Sequence, residues 1–173
     1  MEGTAIVGGV LIFMAIVLLI ALIVWVFYCL TLQKAFNRVS PENRAMAPGL
    51  VWLLVVAMLI NIPLSLVPML KILSVLVGIF GVVWHFVVVL KLATSLGAEF
   101  KKRSIAAPAA PGKTMGLVTC SLSACTVVIS GLAVVAPPLG LLVLVTGLAG
   151  FVCMIIYWVQ IAGFSGKLAA PAA

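Results

Sequence analysis

Residues 50–96 decide the fold, and they read LVWLLVVAMLINIPLSLVPMLKILSVLVGIFGVVWHFVVVLKLATSL. A membrane-spanning helix needs about 20 apolar residues, so this run of 47 positions suits two helices and is too long for one. The break is expected at Pro68, because proline disfavours helix in the residue before it and because the nearby Lys71 is costly at the centre of a bilayer. We therefore predict spans over residues 50–66 and 70–96.

Three further spans follow from the rest of the chain. Residues 4–32 form an apolar run that is too long for a signal-peptide core and has no basic residue before it, so a retained helix is expected. Residues 115–164 are again too long for one helix, and Pro137-Pro138 divides them. The sequence predicts an all-α, single-domain bundle of five membrane-spanning helices; four are the alternative, if the second and third form a re-entrant unit. The expected spans are about 4–32, 50–66, 70–96, 115–136 and 139–164, with loops at 33–49 and 97–114.

The composition favours lipid over water as the surroundings of the protein. Hydrophobic residues make up 66% of the 173 positions and charged residues only 8%, and the mean hydropathy is +1.44. A soluble domain is about 45–50% apolar and about 25% charged. So few charges cannot cover a surface in water, and a lipid bilayer is the expected partner.

The positive charge is arranged as membrane topology requires. The net charge is +7, and basic residues gather in the cytoplasmic loops of membrane proteins. An orientation with the N-terminus outside and the C-terminus inside leaves only Lys71 of the ten basic residues outside. We therefore predict N-out, C-in, with both long loops in the cytoplasm, and no nucleic-acid partner. The nine inner basic residues are Lys34, Arg38, Arg44, Lys91, Lys101, Lys102, Arg103, Lys113 and Lys167.

Small and hydroxyl residues form stripes on three of the predicted helices. In the fourth helix they recur at spacings of three or four, which is one helical face. In lipid, small residues let helices approach closely and hydroxyls bond across helices, so these faces are predicted to pack helices or subunits together; the alternative is a pore lined by the fourth-helix stripe. The residues are Gly78 and Gly81 in the third helix, Thr119, Ser123, Thr126 and Ser130 in the fourth, and Gly140 and Gly147 in the fifth.

The only histidine, His85, falls close to the middle of the third helix. An ionisable residue at that depth is a functional candidate. Three interpretations follow: a ligand to a haem or chlorophyll-type ring, for which the nearby glycines leave room; a proton relay; or a side chain hydrogen-bonded to a neighbouring helix, for instance to a hydroxyl of the fourth.

No catalytic or metal-binding residue is predicted. The spans contain no acidic side chain, which argues against a carboxylate-based carrier and against a metal transporter. The four cysteines form no CxxC pair, and one histidine cannot complete a zinc cluster. No motif of a protease, hydrolase or nucleotide-binding enzyme occurs, so the protein is predicted to have no enzymatic activity.

The loop of residues 33–49, which we name the elbow, is predicted to be a structured turn on the cytoplasmic side. Within it, Glu42 lies between Arg38 and Arg44 and is expected to pair with either. Trp52, just beyond the elbow, is expected to set where the second helix enters the interface, because amphipathic aromatic rings prefer that depth.

Alanine and proline dominate two other segments. Residues 106–112 read AAPAAPG, and Ala169-Ala170-Pro171 comes close to the end of the chain. Such composition is typical of flexible or extended connectors, and we expect no chemistry in them.

The elbow also carries a resemblance. Residues 38–53, RVSPENRAMAPGLVWL, resemble an SPENR-x-M-x-PG-x-VWL loop in a family of small bacterial membrane proteins with several spans and no assigned activity. Ile62-Pro63 and the residues 95–100 fit the same pattern, so the resemblance covers residues 38–100. It implies a bacterial inner-membrane location and carries over no catalytic residue.

The leading functional hypothesis is a non-enzymatic membrane protein that works by assembly, as a homo-oligomer or as an accessory subunit of a larger membrane complex. The motivation is the glycine and hydroxyl faces on three helices. One alternative is a channel or transporter pore lined by the fourth-helix stripe. The other is a membrane subunit that binds haem or a chlorophyll-type pigment through His85.

Overall fold

The fold is a bundle of five long helices. The computed structural model describes residues 2–133 and 136–169, and this part of the chain is 88% helical and has no strands. All five helices are long and apolar enough to cross a membrane. The prediction of an all-α chain with five helices that suit membrane spans is therefore confirmed. The helices are α1 (Glu2–Arg38), α2 (Trp52–Leu66), α3 (Lys71–Lys102), α4 (Lys113–Leu132) and α5 (Gly140–Ala169).

Short 3-10 turns that begin at proline lie between several of the helices. Proline lacks a backbone N–H and has a fixed φ, so it is tolerated in the first turn of a helix but stops a helix that arrives from its N-terminal side. The breaks predicted at Pro68 and at Pro137-Pro138 are confirmed. The turns are Pro41–Asn43, Pro48–Val51, Pro68–Leu70 and Pro137–Leu139.

Two helices run well past their predicted ends. α1 continues to Arg38 and α3 to Lys102, so residues 33–38 and 97–102 are helical where loop was expected. Hydropathy locates the part of a helix that lies in hydrocarbon. The helix itself ends at a backbone signal, which for α1 is Ser40-Pro41, because a residue before proline is driven out of the helical conformation.

The last two helices also differ from prediction at their C-terminal ends. α4 ends at Leu132 rather than near 136, and residues 134–135 lie outside the described residues. α5 continues to Ala169 instead of ending near 164. Lys167, which was expected to follow the last span, lies in the final turns of this helix.

The Ala/Pro linker packs against the bundle, which corrects the expectation of a flexible connector. Ala107 contacts the hydrophobic core, and Pro111 is buried. Gly97 of α3 makes this approach possible, because a Cβ at that position would collide with the carbonyl oxygen of Ala109. Residues 170–173, which hold most of the predicted Ala/Pro tail, lie outside the described residues.

The buried core lies at the end of the bundle next to the elbow. α1 contributes through its C-terminal half, which packs there against α3 and α5. At the other end of α1, residues 15–20 are all exposed. Six consecutive exposed positions cover every face of a helix, because successive residues are about 100° apart, so residues 15–20 are not enclosed by the other described helices. The largest buried side chains are Tyr28, Tyr157, Phe36 and Phe100.

Candidate functional site

A cavity of about 450 Å³ lies between the helices, and all five of them contribute to its wall. It brings together seven of the side chains and glycines that were predicted as functional from three separate stripes. Ser130 and Gly140 lie outside it. The seven are Gly78, Gly81, His85, Thr119, Ser123, Thr126 and Gly147.

The glycines of this wall serve two different purposes. A Cβ at Gly78 would lie 3.3 Å from Val127 of α4, so this glycine allows α3 and α4 to approach closely. At Gly147 the nearest atom to such a Cβ is a methyl group of Thr126 at 3.9 Å, so the absence of a side chain leaves open space. Gly140, one heptad earlier on α5, has nothing within 4 Å and makes no close contact within the described residues.

His85 lies in the wall of the cavity at the end nearer the elbow, and it is hydrogen-bonded to Tyr28 of α1. The residue is 2% exposed, and its Nε2 lies 2.6 Å from Tyr28 Oη. The ring of Trp25 stands edge-on to the imidazole, with the centroids 5.7 Å apart. The expected kind of contact, a bond to a neighbouring helix, is present, but the partner belongs to α1 and not to α4.

Sequence reasoning missed Trp25 and Tyr28 as members of the site. They lie three residues apart, so they share one face of α1, and each carries a polar tip within an apolar run. The spacing of these two residues indicates a polar face of α1. It does not show that this face contacts His85, which is 57 positions away from Tyr28.

The indole N–H of Trp25 has no hydrogen-bond partner among the described residues. Its Nε1 is buried and unbonded among the described residues, although Trp25 lines the cavity. The indole N–H groups of Trp52, Trp84 and Trp158 all donate hydrogen bonds, to Gln33 Oε1, Leu50 O and Thr31 Oγ1. A donor without a partner in a lipid-buried region costs free energy, so Trp25 is the exception that calls for an explanation.

Three hydroxyl residues of the fourth helix line the cavity and bond within their own helix. Thr119 donates to the carbonyl of Met115 at 2.9 Å, Ser123 to that of Thr119 at 3.0 Å, and Thr126 to that of Leu122 at 2.9 Å. Each hydroxyl hydrogen is therefore used within α4. The predicted hydrogen bonds from this stripe to other helices are not found among the described residues.

At the other end of the cavity, Asn61 of α2 joins the wall. Its Oδ1 accepts a hydrogen bond from Ser74 Oγ of α3 at 2.6 Å. Asn61 is thus oriented by the neighbouring helix, and its Nδ2 lies close to Gly78, 3.8 Å from where a Cβ of that glycine would be.

Metal or pigment binding at this site has one direct structural constraint. Nε2 of His85 is already bonded to Tyr28, so an iron or magnesium ion at this nitrogen would have to displace the tyrosine. Among the described residues no cluster of three or more histidine, cysteine or acidic side chains could hold a metal ion.

The elbow is built around Glu99 of α3. The residue is 2% exposed, and its Oε2 accepts hydrogen bonds from Ser40 N at 3.1 Å, Ser40 Oγ at 2.6 Å and Asn43 Nδ2 at 2.9 Å. Arg103 Nε donates to Oε1 at 2.7 Å. Four donors to one carboxyl group favour its ionised form, and they attach the elbow to α3. Sequence reasoning missed Glu99, because its partners in the elbow, Asn43 and Ser40, lie 56 and 59 positions away.

The arginines of the elbow bind main-chain carbonyls instead of Glu42. Arg44 donates to the carbonyls of Phe36 and Val39 at 3.0 and 2.9 Å, which satisfies acceptors that the end of α1 leaves free. Arg38 donates to the carbonyl of Ser165 at 2.6 Å and so joins α1 to α5.

The expected pairs of Glu42 with either arginine do not form. Glu42 pairs instead with Lys102 of α3, at 2.8 Å. Lys102 became available because α3 continues past its predicted end. α2 begins at Trp52, two residues after the predicted start at residue 50, and the indole N–H of Trp52 donates to Gln33 of α1 at 3.0 Å.

These features define the class of the protein: an all-helical chain with five helices that suit a multi-pass membrane protein, with a partly polar cavity between them. Comparison with models of known protein families, with curated proteins and with solved structures finds no match for this chain.

Proposed function

We propose that this is a non-enzymatic, multi-pass membrane protein that binds a lipid-soluble molecule in the cavity between its helices. The observation that carries the proposal is the cavity itself, with Trp25, Asn61 and His85 in an otherwise largely apolar wall. Binding sites for small molecules measure about 300–1,000 Å³ and combine an apolar lining with a few polar groups. The volume of about 450 Å³ lies in this range.

A ligand would reach the cavity from the bilayer. Ala21 is the lining residue of α1 nearest to its N-terminus, and residues 15–20 before it are exposed on every face. Over residues 15–20, α1 therefore leaves the other described helices open on the side of the cavity. A lipid-soluble molecule can approach through this gap without crossing water.

Two glycines of α5 provide a matched test of the cavity. Gly147→Leu places a side chain in the open space at the wall, whereas Gly140→Leu makes the same change outside the cavity. Saturable binding of the fluorescent apolar probe 1-aminoanthracene is measured on the detergent-purified protein. We expect the Gly147→Leu variant to lose it and the Gly140→Leu variant to keep it. Absent saturable binding to the unaltered chain, or equal binding by both variants, would contradict the proposal.

Assembly is a second candidate function, and the exposed half of α1 favours it. Residues 15–20 are exposed on every face, so this segment can pack against a second copy or another membrane subunit. Native mass measurement in mild detergent tests this. A strict monomer without a co-purifying subunit counts against assembly and leaves the binding proposal untouched.

We further propose a bacterial inner-membrane location with N-out, C-in orientation. The distribution of the basic residues supports the orientation, and the SPENR-type loop supports the location through its resemblance. The pore and the pigment-binding interpretations stay predictions, which ion flux in liposomes and a visible absorption spectrum of the purified protein test directly.

A further inference from the structure

The wall of the cavity carries no charged side chain among the described residues. It includes no lysine, arginine, aspartate or glutamate, although the chain has ten basic and three acidic residues. His85 is the titratable member of this wall. Its imidazole is bonded to the phenol of Tyr28 and forms no ion pair with a described carboxylate. An ionised group inside the cavity would therefore meet no partner of opposite charge.

The charged residues that come closest to the wall along its own helices stop short of it. Lys71 and Lys91 of α3 and Lys113 of α4 each lie six residues beyond the lined stretch, which corresponds to about 9 Å of helix. All three are exposed. An ion that leaves water without a partner loses several kcal/mol of solvation, so the cavity disfavours an ionised ligand.

The cavity is short along the bundle axis. Its wall covers residues 77–85 of α3 and 119–127 of α4, together with residues 54–61 of α2 and 147–154 of α5. At about 1.5 Å per residue, each of these stretches is about 10–12 Å long. An acyl chain that extends through one leaflet, about half of the 30 Å hydrocarbon core, is longer than this cavity.

The cavity is also wide for its length. A volume of about 450 Å³ over this length corresponds to a cross-section of about 40 Å². Non-bonded carbon atoms approach to about 4 Å, so one extended alkyl chain fills a cross-section of only roughly 20 Å². Gly147 contributes to the width, because the nearest atom to a Cβ at that position is 3.9 Å away. A short and broad space suits a ring system better than a single chain.

We infer that the ligand is an uncharged molecule with a compact body of fused rings, and that ionised amphiphiles and single-chain lipids are poor ligands. The inference rests on the proposed binding function and deepens it by naming the class of ligand. Rigidity favours the same class, since a fused-ring body loses less conformational freedom on binding than a chain with the same number of carbon atoms.

The shape of the ligand is tested with two saturated hydrocarbons that have the same number of carbon atoms, perhydrophenanthrene and tetradecane. Both compete with bound 1-aminoanthracene on the unaltered protein, and they are compared at equal concentrations in the detergent micelles. We expect the fused-ring compound to compete at about tenfold lower concentration, because the chain must bend and lose rotamer freedom to fit. Equal competition, or a preference for tetradecane, would overturn the inference.

The charge of the ligand is tested with two molecules built on one cage, 1-adamantanemethanol and 1-adamantanecarboxylate. Their micellar concentrations are again matched, at neutral pH in a non-ionic detergent. We expect the carboxylate to need at least about tenfold more compound for the same competition, since the wall offers it no counter-ion. A carboxylate that competes as well as the alcohol contradicts an uncharged ligand.

A pair of variants shows whether the cavity itself makes this distinction. Met58→Arg places a permanent cation in the wall, and we expect it to bring the carboxylate close to the alcohol. Met69→Arg makes the same change in the turn between α2 and α3, at a position that is 94% exposed and outside the wall, and should keep the original ratio. An unchanged ratio in a folded Met58→Arg protein would overturn the inference. If Met58→Arg does not fold, the two comparisons on the unaltered chain decide.

Failure of the ligand class is distinguishable from failure of the binding function. Absent saturable probe binding to the unaltered chain contradicts the binding function itself. Probe binding that Gly147→Leu removes, with no preference for fused rings or for the uncharged cage, leaves the binding function intact and overturns the ligand class alone.

Discussion

Tyr28 Oη lies 2.6 Å from Nε2 of His85, and this bond connects α1 to α3 at the end of the cavity nearer the elbow. Both side chains are almost completely buried, so neither can exchange its partner for water. The bond therefore has two roles: it holds the C-terminal half of α1 against the bundle, and it sets the rotation of the imidazole that faces the cavity.

The first prediction concerns this bond. Tyr28→Phe leaves a buried imidazole nitrogen without its partner, and we expect it to lower the free energy of unfolding by about 1–3 kcal/mol. Tyr157→Phe is the matched control, since Tyr157 is equally buried but its hydroxyl has no partner among the described residues. Removing an unbonded hydroxyl should be neutral or stabilising. Thermal unfolding in detergent measures both, and equal losses would show that the bond contributes nothing.

The second prediction concerns the attachment of the elbow. Glu99→Gln keeps the shape of the side chain but removes the charge that Ser40, Asn43 and Arg103 bind. We expect a loss of about 1–3 kcal/mol, with faster proteolysis of the elbow. Glu42→Gln breaks an ion pair in which the glutamate side chain is 77% exposed, and because water and salt screen such a pair, stability should hardly change. A larger effect at Glu42 than at Glu99 would contradict this account.

The third prediction concerns the contact between α3, α4 and α5. A Cβ on Gly116 would collide with Val89 and lie 3.0 Å from the ring of Tyr157. Both neighbours are buried, so Gly116→Ala is expected to destabilise the bundle by about 1–3 kcal/mol. Gly163→Ala meets nothing within 4 Å and should be neutral or slightly stabilising, since alanine is the better helix former. Thermal unfolding of the two variants gives the comparison, and similar midpoints would argue against close packing at Gly116.

The fourth prediction concerns orientation. Met69, in the turn between α2 and α3, is 94% exposed, and Lys101 lies at the opposite end of α3. In sealed vesicles of known sidedness, a membrane-impermeant maleimide should label Met69→Cys from the outer side and Lys101→Cys only after the membrane is opened. The unaltered chain, with its four cysteines within the helices, is the control. The reverse labelling pattern would overturn N-out, C-in.

The sequence predicted which residues share a helical face, but it did not predict which faces are in contact with each other. Thr119, Ser123 and Thr126 share a face of α4 because of their spacing alone. Gly78, Gly81 and His85 share a face of α3 for the same reason. Which faces meet was not predictable, because helices of this kind pack with similar small residues on several sides. Ser130 and Gly140 fit the same stripes and yet lie outside the cavity.

The amino-acid sequence alone was enough to locate five apolar spans and the breaks between them. Bilayer thickness sets a minimum apolar length, and prolines such as Pro68 interrupt helices through their own backbone geometry, so both signals are local. The packing of the helices, in contrast, brings His85 to Tyr28 and Glu99 to Ser40, and it leaves Trp25 without an acceptor among the described residues. These outcomes depend on the rotation and relative height of helices that are distant in the chain, and neither quantity is encoded in the periodicity of any one helix.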